Sequence, residues 1–356
     1  MKISEFKSVL ENKSCDIALF CNSDSMKFSP NMFYFSGYRG LGALVVPRNN
    51  PSFLLVPGME FERAKKSMIK KVYSMEKKRF FESIYKIIRK NKLKTRNIAI
   101  DKNNFTLNSY SHFKKQFKKI RTKDISMDCM KLREIKTKIE IQILKKSCSY
   151  ADRIIQKVIS NFRDFKTESE ASAFLEHEAR KNGLELSFEP IVASGSNGSM
   201  PHHNPSNAKI REGFCVIDFG VKYKGYCSDI TRTIHIGKPA EKEIKIYNML
   251  LKIQKSTISQ ISFNKKCSEL YDYVINNLGK YKNNFIHGLG HGVGVEIHEL
   301  PNLTLNSKDR IKDNMVFTVE PGVYFPRRFG IRIEDTVLFK NKPIVLTKTS
   351  KDLLIV

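Results

Sequence analysis

The chain has 356 residues, 41% of them hydrophobic, and a formal net charge of +27. That length is enough for two packed domains, because single cores stop growing near ~250–300 residues. No apolar run approaches the ~20 residues that span a bilayer, and the charge, which permits non-specific contact with nucleic acid or anionic lipid, fixes no reaction type.

The opening MKISEFKSVLENKSCDIALF lacks the continuous apolar stretch of a secretory signal, so a cytoplasmic protein is expected. Seven cysteines (Cys15, Cys21, Cys129, Cys148, Cys215, Cys227, Cys267) are scattered and never form a CxxC pair. They suit a reduced compartment and small core positions rather than a structural zinc site. The lysines lie dispersed, at Lys65, Lys66, Lys70, Lys71, Lys77 and Lys78 and then at Lys114, Lys115, Lys118 and Lys119. They read as solvated helix faces, since no zinc finger, RNP-type motif or recognition-helix pattern accompanies them.

In chain order, short apolar runs predict strands at Asp16–Cys21, Met32–Phe35, Ala43–Val46, Phe53–Val56 and Ile98–Ile100. Amphipathic stretches predict helices at Phe61–Ile69, Phe80–Lys90 and Leu107–Phe117. This alternation implies an α/β domain with a mixed sheet over residues 1–128. It contains no GxGxxG, no P-loop and no histidine cluster, hence no recognisable chemistry. From residue 129 a second domain is expected, running to 356. Arg133–Ser160 reads as one long helix, and a second helix opens at Thr167, where Thr167 and Glu170 have capping-box spacing and Gly183 closes the segment. From Glu189 the texture turns to β, interrupted by a helical insert over Glu241–Leu278. The second domain is therefore α+β with antiparallel hairpins.

The chemistry lies in that second half. Asp218 and Asp229 are eleven residues apart across a turn at Lys222–Gly225, a spacing that can set them on paired strands. Glu320 ends the apolar run MVFTVE at a Pro-Gly turn, and Glu334 follows in IRIEDTVLF. An acid inside a buried strand is costly unless its charge is compensated, and two together repel. The segment IHGLGHGVGVEIHE then sets His287, His291 and His298 among glycines, in a chain with only eight histidines. Carboxylates with one imidazole suit hard or borderline divalent ions. Five donors are too many for one catalytic ion with an open position; two ions, roughly 3.5–4 Å apart and sharing bridging carboxylates, use them all.

At these residues the sequence resembles the pita-bread metallopeptidases, in the branch of prolidase and aminopeptidase P. The matching segments are VASGSNGSMPHH, VIDFGVKYKGYCSDITRT, HGLGHGVGVEIHE, TVEPGVY and GIRIEDTV, in order over residues 130–345. The resemblance implies a creatinase/prolidase-like N-terminal domain and a pita-bread catalytic domain. It implies that Asp229 and Glu334 bridge two divalent ions per subunit, that Asp218 completes one shell, and that His291 and Glu320 complete the other. Mn²⁺ or Co²⁺ is expected first, then Zn²⁺ or Fe²⁺. A hydroxide held between the ions would attack the scissile carbonyl while Glu320 moves its proton to the leaving nitrogen. His298 and His202 would hold substrate and stabilise the tetrahedral intermediate, His287 would line the substrate pocket, and Arg332 would orient the carboxylates from outside the metal shell. His203 directly follows His202, so the assignment between them rests on the Pro-His order.

The implied activity is hydrolysis of peptides with proline at the second position, as an Xaa-Pro dipeptidase acting as a homodimer, with no membrane or specific nucleic-acid partner. Aminopeptidase P, acting on longer Xaa-Pro peptides, is the alternative; methionine aminopeptidase fits less well because it often lacks such an N-terminal domain. A non-catalytic RNA- or ribosome-binding protein on this scaffold is the reading from another class. Arg327 and Arg328, between Glu320 and Glu334, read as solvated loop charges or as partners of a dipeptide carboxylate.

Overall fold

The computed structural model describes residues 2–22, 28–75 and 79–356, so Lys77 and Lys78 lie outside the described residues. The chain divides into two compact units, Met1–Leu132 and Arg133–Val356.

The first unit carries a six-stranded sheet in the order β4–β3–β2–β1–β5–β6. Its strands are β1 Ile17–Asn22, β2 Gly42–Pro47, β3 Phe53–Pro57, β4 Lys71–Met75, β5 Asn97–Ile100 and β6 Arg121–Asp124. β1, β2 and β3 pair antiparallel, while β4, β5 and β6 join in parallel, giving the mixed sheet expected. Helices α1 Ile3–Asn12, α2 Pro30–Ser36, α3 Phe61–Lys65, α4 Phe80–Lys90, α5 Leu107–Gln116 and α6 Ser126–Glu134 complete the order. Ile84 and Ile88 of α4 and Phe113 of α5 share one core with Leu19, Val45 and Ile98 of the sheet.

Met32–Phe35, expected as a strand, is instead helical in α2. Ser29 accepts the Met32 N–H at 3.2 Å, Pro30 occupies the first turn, and Gly37 closes the helix at φ 69°. Local capping outweighs the β tendency of an aromatic run here. The lysines are not all on helix faces either. Lys71 sits on edge strand β4, and Lys118 and Lys119 follow the end of α5.

The second unit begins with α7 Lys138–Ser160 and α8 Glu168–Lys181. The single helix expected from Arg133 is broken, because Lys136 gives its N–H to Asn314 O and Thr137 restarts the chain as a capping box with Glu140. Thr167 caps α8 through Glu170 N–H, but Glu170 reaches back to Lys166 N–H rather than to Thr167. Strands follow as β7 Glu185–Leu186, β8 Ile191–Ser194, β9 Gly213–Phe219, β10 Val221–Tyr223, β11 Tyr226–Cys227 and β12 Ile230–Ile236. After α9 Glu241–Ser259 and α10 Cys267–Leu278 come β13 Gly290–Gly292, β14 Glu299–Leu303 and β15 Met315–Val319. The last strands are β16 Gly322–Phe325, β17 Phe329–Arg332, β18 Asp335–Lys340 and β19 Lys342–Val345. β14–β13–β15–β18–β19 form one sheet and β12–β9–β8 another, with short ribbons β11–β10–β7 and β16–β17 beside them. Apolar faces of α7 and α8 share a core with β9, through Ile155, Leu175 and Ile217; α9 and α10 share another with β15 and β18, through Leu250, Val274, Phe317 and Val337. All seven cysteines are free. Among the described residues no helix is long and apolar enough to cross a membrane.

Candidate active site

Two bent hairpins build the site. In the first, β9 pairs with β12 while the inner strands β10 and β11 pair in a different sheet. The chain turns between sheets at Gly220, where a Cβ would collide with the Ser228 carbonyl. Asp218 lies in β9 opposite Thr231, and Asp229 falls in the break between β11 and β12 rather than on the partner strand. The second hairpin repeats the plan. β15 pairs with β18 and β16 with β17, leaving Glu320 and Glu334 in the two breaks. β13 runs beside β15 and carries His291; a Cβ on Gly290 would strike Thr318 O, so this close approach requires glycine.

One ligand atom each from Asp229, His291 and Glu334 lies within 4.8 Å of the others. His291 Nε2 stands 3.5 Å from Asp229 Oδ2 and 3.4 Å from Glu320 Oε1. Its Nδ1 is 3.1 Å from Gly292 O, which can only accept, so the proton belongs on Nδ1. Burial lowers the His291 pKa and keeps the ring neutral, which turns the Nε2 lone pair towards carboxylate oxygens. Lone pair against lone pair is repulsive unless a proton or a cation lies between them.

The carboxylates show the same want. Asp218 Oδ2 accepts from Arg332 Nη2 at 2.6 Å, Glu334 Oε2 from Thr231 Oγ1 at 2.7 Å and Glu320 Oε1 from Thr318 Oγ1 at 3.0 Å. Asp218 Oδ1, Asp229 Oδ1 and Glu334 Oε1, however, are buried with no hydrogen-bond partner. Burial, then the charges of Glu334, Asp218 and Glu320, push the Asp229 carboxyl well above its ordinary range. Glu334 moves the same way, for burial first and then Glu320 and Asp218, and Glu320 is pushed up to about 7, chiefly by burial. Four acids facing one guanidinium, with free oxygens turned inward, fit hard or borderline divalent cations.

These residues line a cavity of about 450 Å³ together with His202, His287, His298 and Arg332, so the structure brings every candidate site residue to one place. The His298 ring stands edge-on to His291 with centroids 4.3 Å apart, and burial lowers its pKa to about 4. His287 gives Nδ1–H to Gly288 O at 2.7 Å and receives the Tyr324 hydroxyl on Nε2 at 3.0 Å; burial lowers it to about 3. Arg332, in β17, reaches Asp218 directly and Glu334 only through Thr231, to which its Nε donates at 3.1 Å. Its Nη1 donates to Tyr324 Oη at 2.7 Å. His203 turns from the cavity to Glu168, 2.8 Å away, leaving His202 as the pocket histidine. Arg327 and Arg328 lie exposed in the β16–β17 turn and do not line the cavity. The roles of Thr231, Thr318, Tyr324 and Glu168 went unnoticed in the sequence, although Thr231, Thr318 and Tyr324 stand inside the motifs DITRT and TVEPGVY. A larger cavity of about 810 Å³ in the first unit is lined by six cations, among them Arg89, Lys94 and Lys118, with no carboxylate or imidazole, so the donor set lies in the smaller one.

Residues 142–341 match metallopeptidase family M24. The chain belongs to this family. Residues 2–135 of this M24 chain match the creatinase/prolidase N-terminal domain. An Xaa-Pro dipeptidase of Pyrococcus furiosus is 38% identical over 91% of this chain and 92% of its own length. Among solved structures, an Xaa-Pro dipeptidase from Bacillus anthracis superposes with a TM-score of 0.91 at 31% identity, covering 100% of this chain and 99% of its own. An X-Pro aminopeptidase from Thermotoga maritima gives 0.89 at 28% identity, covering 96% and 98%. The catalytic half of this M24 peptidase thus has the pita-bread fold, and the family implies divalent metal ions.

Proposed function

We propose that this M24 peptidase is an Xaa-Pro dipeptidase that hydrolyses the bond preceding proline with two divalent ions per subunit, Mn²⁺ or Co²⁺ before Zn²⁺ or Fe²⁺. The observation that carries the metal assignment is the set of three orphaned buried oxygens, on Asp218, Asp229 and Glu334, around the neutral His291. Asp218, Asp229, His291, Glu320 and Glu334 would hold the ions. Ions held there supply Lewis-acid polarisation of the scissile carbonyl and acidify the attacking water. Glu320 takes the proton of that water and delivers it to the proline nitrogen, a secondary amine that leaves only when protonated. His298 and His202, on the cavity wall, hold the substrate and donate to the oxygen on which charge develops. Phe188, Ile191 and Ile297 give the cavity an apolar wall on which a proline ring can sit. Arg332 holds Asp218 and, through Thr231, Glu334 in the orientation the ions need. We further place the enzyme in the cytoplasm as a homodimer, with the N-terminal domain serving assembly.

The Thermotoga likeness supports a second reading, aminopeptidase P. Purified protein assayed with Ala-Pro, Ala-Pro-Ala and Met-Ala separates the two. Cleavage of Ala-Pro establishes the dipeptidase; cleavage of Ala-Pro-Ala alone replaces it with aminopeptidase P. Metal-free protein without turnover on any of them, even after Mn²⁺ or Co²⁺ addition, refutes both.

A further inference from the structure

We propose that Glu168 is a positioning residue for the reaction, fixing His202 in the cavity through the backbone on which it stands. The inference rests on the role given above to His202.

Glu168 opens α8, outside the cavity, and its side chain is fully buried. A carboxylate so placed needs a reason, because burying one without partners is prohibitive. Its reason is the segment 194–203. Oε1 accepts from Ser194 N at 2.8 Å, Ser194 Oγ at 3.0 Å and Asn197 Nδ2 at 3.0 Å. Oε2 accepts from Asn197 Nδ2 at 3.1 Å and from His203 Nε2 at 2.8 Å. One carboxylate therefore gathers donors from the start, middle and end of the segment, at a helix N-terminus whose dipole favours a negative charge. The same helical turn ties down the chain beyond it. Glu168 N–H pairs with Ala208 O at 3.2 Å and Ser169 N–H with Ser206 O at 3.0 Å.

The other face of the segment is clamped as well. Pro201 O accepts from Arg332 Nη1 at 3.3 Å, and the Gly198 and Gly330 backbones approach so closely that neither tolerates a Cβ without displacement. His202 lies between these anchors. Its side chain is exposed on the cavity wall, and among the described residues no hydrogen bond holds its ring. Its placement is thus inherited from Pro201 on one side and His203 on the other. A pocket group held only through its neighbours loses its alignment when they loosen, and misplacement of about 1 Å can cost on the order of 100-fold in rate.

The test is a double-mutant cycle on turnover of Ala-Pro. Glu168→Gln keeps the shape but turns an NH₂ towards donors, and kcat should fall on the order of 10- to 100-fold with metal content unchanged. His202→Ala should fall by a similar or larger factor. The double variant should be no slower than His202→Ala alone, since a residue acting through His202 has nothing left to position. In metal-free protein, the His202 ring resonances, assigned by their absence from His202→Ala, should shift in Glu168→Gln. Should Glu168→Gln not fold, His203→Gln, which keeps a donor for Glu168, should retain most turnover where His203→Leu does not. Independent, multiplying losses in the cycle, or wild-type kcat in Glu168→Gln beside a slow His202→Ala, overturn the positioning role and leave the proposed function intact. Wild-type kcat in His202→Ala overturns the role of His202 and with it this inference.

Discussion

Stripping the metal should give this protein a stability that rises as pH falls towards 5, against the trend of a chain with net charge +27. Without cations, Glu320 is pushed from 4.5 to about 7, chiefly by burial. Below 4.5 both folded and unfolded forms carry the proton and nothing is lost. Between 4.5 and 7 the unfolded chain releases it while the folded chain keeps it, so stability falls with each step up in pH. Above 7 the loss is complete, and at ~1.4 kcal/mol per unit it amounts to about 3 kcal/mol. Asp229 and Glu334 are shifted in the same direction and deepen the loss. For a domain of ~150–250 residues, 3 kcal/mol corresponds to a Tm change of about 6–12 °C. The assay is thermal unfolding of chelator-stripped and metal-loaded protein, read as the difference between the two at each pH from 5 to 8. That difference cancels the self-repulsion of the surface lysines, and it should be largest near pH 8 and shrink towards pH 5. If stripped and loaded protein melt together at pH 8, the carboxylate cluster needs no cation and the reasoning fails.

His298→Ala should retain its metal, since the ring only stands edge-on to His291, yet lose most of kcat; elemental analysis beside steady-state kinetics checks this. Gly290→Ala forces a methyl into Thr318 O and displaces β13, so metal affinity should fall on the order of 10- to 100-fold or more, measured by competition with a chromophoric chelator. Lys136→Met leaves Glu299 buried beside Arg133 with half its compensation, and should destabilise by ~3–5 kcal/mol in chemical denaturation. The exposed pair Lys245–Glu241 should tolerate Lys245→Met within about 1 kcal/mol, which serves as the control.

The sequence made the site legible because acids at apolar positions and histidines among glycines are both costly arrangements, and all five proposed ligands do meet in one cavity. It misjudged how they meet. An eleven-residue spacing suggested facing strands for Asp218 and Asp229, but Thr231 is the residue opposite Asp218 and Asp229 lies in the break. Neighbouring acids also divide in a way composition cannot express. Glu334 faces the cavity and is pushed up, whereas burial of Asp335 is overcome by Arg232 and Lys351, which hold it below the usual carboxylate range. Glu168 was invisible for a related reason. In TESEASAF it reads as an ordinary first-turn helix acid, and only the chain folded over it makes its burial meaningful. In the first unit, caps around Pro30–Ser36 defeated an aromatic run that looked like a strand.

The repeated break also explains how a cluster of like charges can be held rigidly. A continuous hairpin alternates its side chains between two faces, so it cannot turn successive acids into one space without losing register. Splitting each hairpin into an outer and an inner pair frees a residue at each split from that alternation. The freed backbone must still be satisfied, and here the two hairpins satisfy one another. Glu334 N–H pairs with Thr231 O at 3.2 Å, Thr336 Oγ1 with Asp229 O at 2.8 Å, and Thr233 Oγ1 with Arg332 O at 2.8 Å. The first two of these bonds hold the breaks at Glu334 and Asp229, where the carboxylates repel, and so oppose spreading of the backbone. What remains is to take up protons or cations. The divalent ions that the family implies are such cations.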